Sequence, residues 1–215
     1  MSVSLPNGSI ISIASTYGDQ ITVSALTNAN PAVATATSHG LTDGDVLEVR
    51  SGWSQLDQRI MRVDNSITNA FDLEGFNASD TARYPAGGGV GTVREVTAWT
   101  QITQILESTS QGGEQQFASY GFLEDSKERQ LPTVKTAESL QLAIGDDQTL
   151  PWYALMVAAD EDRLPRAIRV RLPSGAILYY NAYVTINKTP TLTRNEIMRL
   201  QATLSFVADP TRYAS

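Results

Sequence analysis

The 215-residue sequence predicts a mainly β protein with one α-helix, and three observations predict it. Apolar residues alternate with polar ones over two long stretches near the C-terminus, 178–186 and 198–206. Short β-branched runs punctuated by Gly, Pro, Asn and Asp fill residues 28–96. A helical period appears once, over 150–160, where Trp152, Leu155, Met156 and Ala159 fall at i, i+3, i+4 and i+7.

The elements follow in order. Residues 10–14 and 21–26 read as a hairpin, with Tyr17-Gly18-Asp19-Gln20 as its turn and Asn7-Gly8 as a turn ahead of it. From about residue 28 the strands shorten to 32–37, 46–49, 59–63, 69–73 and 92–96. Gly40, Gly44 and the run Gly87-Gly88-Gly89 lie between them, the mark of a small β barrel or sandwich. Residues 115–123 and 134–144 read as longer strands, the second carrying Leu140, Leu142 and Ile144 on one face. The helix takes Thr149 as its expected N-cap and Pro151 in its first turn. Asp160-Glu161-Asp162 opposes the macrodipole, so the helix should end before or within that triplet. A strand over 167–172, a Pro173-Ser174-Gly175 turn and the two long strands complete the chain. The second face of the last strand, Arg199, Gln201, Thr203 and Ser205, is too polar for a core and too regular for disorder. Long two-faced strands of this kind suit the wall of a large barrel or channel.

Composition narrows the function. Apolar residues make up 41% and no apolar run approaches the ~20 residues needed to span a bilayer, so no membrane partner is expected. The N-terminal residues lack the basic-then-apolar pattern of a signal peptide, which predicts a chain made in a cytoplasm. With no cysteine and only His39, disulfides, thiolate metal sites and Cys-His dyads are excluded. The net charge of −7 argues against a protein that grips nucleic acid by neutralising phosphates. That charge is unevenly spread. Residues 107–162 hold eleven acids against three bases, and residues 163–215 hold eight bases against two acids. Interleaved solvated surface explains this, and so do acidic and basic faces on opposite sides of a self-associating subunit.

Chemistry-bearing motifs are absent. His39 sits in a Ser-His-Gly turn with no nucleophile motif around it, and Asp43-Gly44-Asp45 lacks the ligand run of a calcium loop. Asp160-Glu161-Asp162 reads as a solvated helix end, and no phosphate loop or nucleophile elbow occurs. No cofactor is called for, and no enzyme is expected; a glycosidase would need two apposed acids, which nothing here singles out. A rival from the binding class is a carbohydrate-binding β module with Trp53, Tyr84, Trp99 and Trp152 as stacking platforms. Trp152 is better explained as helix core, which leaves Trp53 as the candidate exposed recognition residue.

The order of elements then becomes recognisable. The stretch RVRLPSGAILYYNAYV and the closing RLQATLSFVADP resemble the major tail tube proteins of lambda-like siphophages, over residues 1–27 and 97–215. The middle, 28–96, with SHGLTDGDVLEVRSG, RIMRVDNSITNAFDLEG and YPAGGGVGTV, resembles a different unit. It is similar to a small β-barrel repeat of phage structural proteins, related to the first catalytic cysteine half-domain of ubiquitin-activating enzymes. Here that unit is a scaffold without catalytic groups. The resemblance implies a tail-tube-type β sandwich or barrel with an inserted β-barrel domain, and a virion protein made in the bacterial host. It implies hexameric rings stacked into a tube, with tape measure and terminator or tip proteins as partners. Double-stranded DNA would pass through the lumen without specific binding. On that reading Glu114, Glu124, Asp125 and Glu138 are the candidate lumen-lining acids. The Pro-marked connection 124–133, with Glu124, Asp125, Ser126, Lys127, Glu128, Arg129 and Gln130, is the candidate inter-ring loop. Residues 1–6 and 209–215 are candidate arms that order on assembly. The alternative is a tail terminator or tip protein, or a carbohydrate-binding β protein of the virion.

Overall fold

Period-two alternation needs a sheet with one buried face, and here one sheet of thirteen strands supplies it. The computed structural model describes residues 7–214. In chain order the elements are β1 (Ile10–Val23), β2 (Ala25–Leu26), β3 (Ala32–Thr35), β4 (Val46–Ser51), β5 (Ile60–Ile67), β6 (Ala70–Leu73) and β7 (Gly91–Ile102). Next come β8 (Ile105–Gln111), β9 (Gln115–Tyr120), β10 (Arg129–Lys135), β11 (Ser139–Gly145) and α1 (Pro151–Asp162). The chain continues with β12 (Arg166–Arg171), β13 (Ile177–Thr191), β14 (Arg199–Phe206) and β15 (Thr211–Tyr213). The sheet order is β2-β3-β6-β5-β4-β7-β1-β12-β13-β14-β11-β8, with β15 added beside β13, while β9 and β10 pair only with each other.

The mainly β fold with a single helix is as the sequence predicts. Trp152, Met156 and Ala159 of α1 are buried in a cluster with Ile11, Ile13, Ile102 and Ile168 from one half of the sheet. Leu142, Ile144, Val184, Ile186, Leu200 and Leu204 join it from the other half. Both halves reach one cluster only if the sheet curls around it. The convex side therefore looks in different directions over its two halves. Over β1, β12 and the start of β13 it is covered by residues from 46–60, through Ala14, Val46, Ile60, Ala167, Tyr179 and Tyr213. A further cluster around Phe71, Trp53 and Leu56 forms the interior of residues 23–93. β1 and β7 run unbroken between the clusters, pairing from Ile11↔Ile102 to Val23↔Gly91.

Several expectations are corrected. Residues 10–26 form no hairpin: β1 passes straight through Tyr17-Gly18-Asp19-Gln20, which is absorbed as bulges opposite β7 rather than as a turn. Residues 134–144 are two strands, broken between Lys135 and Ser139. Thr149 does not cap the helix. Leu150 holds that position without a side-chain bond, and Thr149 instead donates through N and Oγ1 to Asp147 Oδ1, holding the Asp147 carboxyl below its usual range. The helix runs through the whole acidic triplet rather than ending before or within it: Asp162 is its last residue and pairs with Arg166, and Arg163 turns left-handed as the cap. Of the expected terminal arms, residues 1–6 and 215 lie outside the described residues. Residues 211–213 are not a loose arm but the strand β15.

Two polar contacts fix residues 24–90 against the rest. Glu48 on β4 is 1% exposed and holds Arg50 at 3.1 Å and Arg94 at 2.6 Å, with Asn181 of β13 beside it at 3.4 Å. The Arg94 guanidinium also lies 4.0 Å from the Tyr17 ring centroid. On the other flank the Arg62 amide donates to Tyr213 Oη at 2.9 Å, and burial pushes the Tyr213 phenol up to about 12.

Each contact yields a prediction. Either guanidinium alone still neutralises Glu48, so Arg50→Ala and Arg94→Ala should each cost little. The double variant strands a buried carboxylate and should cost about 2–4 kcal/mol, more than the sum of the singles, in urea unfolding. For Tyr213 the folded pKa lies above the unfolded value of about 10. Its contribution is therefore complete below pH ~10 and is lost as pH rises toward 12. Tyr213→Phe should flatten the stability loss across that window and cost about 1 kcal/mol at neutral pH through the lost hydrogen bond.

Candidate assembly surfaces

β13, β14, β11 and β8 form a four-stranded wall with one dry and one wet side. The dry side, Leu142, Ile144, Ala202, Leu204, Val184 and Ile186, packs toward α1. Register places the opposite row together: Tyr183, Thr185 and Asn187 on β13 face Ser205, Thr203 and Gln201 on β14. Ser139, Gln141 and Ala143 on β11 face Gln111, Thr109 and Glu107 on β8. Gln141 donates to Gln111 at 3.2 Å across the last pair. Glu107 is the one carboxylate in these positions, and the one cation of the row, Arg199, stands at its end opposite Gly145. The wet face expected on β14 is thus one row of a larger hydroxyl and amide surface.

Both lateral edges of this wall are unpaired among the described residues. β8 is the last strand of the sheet, and β12 leaves the side of β13 at Ala182. Past that point β13 has β14 on one side only. Open edges are ready templates for another chain's strand.

The wall also has two unlike ends. At the Gln111/Ser139 end, β8 and β11 lead into a hairpin arm made of β9 and β10. Gly112 and Gly113, at φ +84° and +80°, make the base of the arm; a Cβ on Gly112 would fall 1.9 Å from the Ala137 carbonyl oxygen. The arm buries no side chain fully, and Phe117, Phe122, Leu123, Leu131 and Val134 are all more than half exposed. At the Gly145/Arg199 end, the turn between β13 and β14 carries Leu192 at 74%, Ile197 at 69% and Met198 at 50% exposure.

The four acids expected to line a lumen are not brought together. Glu114 and Glu138 stand at the base of the arm, where Glu114 exchanges hydrogen bonds with Thr136 and Glu138 lies beside Gly113. Glu124 and Asp125 lie in its tip, and Asp125 meets Arg129 at 3.3 Å. Of the stretch expected as a connection, Ser126, Lys127 and Glu128 are in the tip, whereas Arg129 and Gln130 already belong to β10. Pro132 sits within that strand opposite Phe117, which an arm with water on both sides tolerates.

Trp53 is corrected outright. It is 2% exposed, its Nε1 donates to the Pro85 carbonyl at 2.9 Å, and Gly89 leaves no room for a Cβ over its ring. The glycine run is what covers it. Tyr84 and Trp152 are buried as well, and Arg169 sits 4.7 Å from the centroid of Trp99. His39 accepts the Leu41 amide through Nδ1 and meets the Ile67 carbonyl through Nε2 at 2.7 Å, which accounts for it as a turn residue. Among the described residues, no group of three His, Asp or Glu side chains could hold a metal ion. No local pattern marks Glu107, the open edges or the exposed 192–198 turn, because pairing across β8, β11 and β14 joins segments far apart in the chain.

Among solved structures, the chain is similar to a protein in the tail of an empty gene transfer agent particle refined helically with C6 symmetry. The identity is 12%, 54% of this chain and 87% of that chain are covered, and the TM-score is 0.44. A protein of the native gene transfer agent virion gives 12%, 54% and 89%, with a TM-score of 0.43. One of the anti-feeding prophage baseplate gives 10%, 55% and 86%, with 0.41. None of the curated proteins matches the chain. The match that carries the assignment is to a family, the phage tail tube proteins (TTP), over residues 51–215. That span is well over half of the chain and takes in every strand of the wall, the arm and α1. The chain belongs to the phage tail tube protein family and is a structural component of the virion tail.

Proposed function

We propose that copies of this chain close into rings by joining wall edges, β8 of one subunit beside β13 of the next, and that the rings stack into the tube. The single observation that supports this best is a wall open at both lateral edges, with a polar side turned away from the core. Six subunits per ring is the number implied by the resemblance to lambda-like siphophages. The wet side of the wall becomes the lumen, and residues 28–96, on the oppositely directed part of the convex side, form an inserted outer module. Tape measure and terminator or tip proteins are the further partners.

The mechanism is physical and the role is not catalytic. DNA that must pass quickly cannot be held, and Lys or Arg on the wall would bind phosphates through counterion release. Gln111, Gln141, Gln201, Thr109, Thr185 and Thr203 give a neutral, hydrated surface, Glu107 adds repulsion, and the single cation, Arg199, stands at the end of the row 3.9 Å from Glu196. The lining is thereby moved from Glu114, Glu124, Asp125 and Glu138, which sit at the arm, to this face.

The absence of native cysteine makes a direct test available. Tubes assembled from a Gln201→Cys variant should resist a polyethylene-glycol maleimide too bulky for the channel, although the unassembled subunit reacts. Thr81→Cys, exposed on the inserted module, should react in both states. Labelling of the Gln201→Cys variant at equal rates in tubes and free subunits would remove the wall from the lumen. In electron micrographs, a purified chain that stays monomeric at high concentration would sink the tube itself.

A further inference from the structure

Beside β15 the surface of residues 59–84 falls away into a groove of about 320 Å³. Arg59, Glu74, Phe76 and Asn77 line one side of it, and Thr211 and Arg212 line the other. Its charges do not cancel. Glu74 is committed to Arg62, which grips both of its carboxylate oxygens. Among the described residues, no carboxylate stands within ion-pair distance of Arg59 or Arg212. The groove therefore carries two unmatched cations on a chain whose net charge is −7.

Arg59 is the more telling of the two. It is half-buried, and its Nη2 makes only long bonds, to the Pro210 carbonyl at 3.4 Å and Thr211 Oγ1 at 3.3 Å. Its Nε is buried with no acceptor, and the Phe76 ring centroid lies 5.7 Å from the guanidinium carbon. A guanidinium taken out of water is costly unless an anion meets it, and the fold supplies none.

The rest of the lining narrows the class of anion. A planar guanidinium fork matches the two oxygens of a carboxylate. The Glu74 carboxylate disfavours a second negative charge in the same groove, yet its oxygens can accept hydroxyl donors. Asn77 is exposed and uses Oδ1 on the Ser79 amide, which leaves its Nδ2 donors for a ligand. A groove of about 320 Å³ lies at the small end of ligand sites, with room for one ring. A sugar with one carboxylate and several hydroxyls meets all of these groups. Phosphate meets only the first.

We propose that the groove between residues 59–84 and β15 binds a carboxylate-bearing sugar, with Arg59 on its carboxylate and Glu74 and Asn77 on its hydroxyls. The site does not depend on how copies of the chain join. Its test titrates sodium glucuronate, glucose and inorganic phosphate into the full-length chain, followed by ligand-observed NMR. Glucuronate should bind saturably, and glucose and phosphate at least tenfold more weakly. Arg59→Gln should weaken glucuronate at least tenfold without lowering the urea midpoint, because it removes a charge that has no partner. Asn77→Asp keeps the acceptor for the Ser79 amide at an exposed position, so it folds, and its added charge should also weaken glucuronate about tenfold. That second variant decides the matter if Arg59→Gln does not fold. The proposal is overturned by an unaltered chain that shows no saturable glucuronate binding, or that binds phosphate as tightly. Glucuronate affinity unchanged in either folded variant overturns it as well.

Discussion

Everything in this fold depends on one packing constraint: the two halves of a single sheet bury their apolar rows in the same cluster around Trp152 and Met156. Neither half has another apolar partner large enough to cover it, so the sheet must curl and α1 must fill the opening. Curling has a consequence for the side left outside. A flat sheet has two faces, but a curled one has an inside and an outside whose halves look apart. One half is covered by residues 46–60 and the C-terminal strand, and the other stays wet. The proposed tube uses that divergence: an outer module on one half and a conduit surface on the other.

β13 is where the two halves meet, and its sequence carries the transition. In its first part both sides are packed, with Tyr179 and Asn181 against residues 46–60 and Tyr180 and Ala182 against the helix side. Beyond Ala182 one side opens to water, and Tyr183, Thr185 and Asn187 replace the aromatic and amide groups that were covered. The buried Glu48 with its two arginines reinforces the junction. A paired carboxylate at 1% exposure contributes less to net stability than an apolar contact of the same size would, and stranding it by loss of both arginines is what makes the junction costly to disturb.

How far the sequence reveals this follows the range of the interactions involved. The helix, the two long C-terminal strands and the wet side of β14 are legible because each is written in a local period. The uncapped helix start is not, because Asp147 competes for Thr149. The false hairpin at 10–26 arises from a Gly18-Asp19 signal that is locally a turn. Only the presence of β7 alongside converts it into bulges. Trp53 misleads for a related reason: a tryptophan beside Ser51-Gly52 looks exposed until the glycine run from 87 to 89 folds over it. The acids at 114–138 are visible in the sequence as a block, but their placement depends on where the arm leaves the wall.

Their position at the arm bears on how the proposed conduit avoids holding DNA. Carboxylates repel phosphates, but a lining dense in them would also repel its own neighbours around the ring, where identical faces lie edge to edge. Neutral amides and hydroxyls avoid both penalties: they keep water at the surface, exchange hydrogen bonds with it freely, and add no charge to be screened. In the proposed tube the charge split of the chain then has its use outside the channel. There, acids gathered at the arm and bases carried by the C-terminal half would give contact between copies a direction, which a wall of uniform charge could not do.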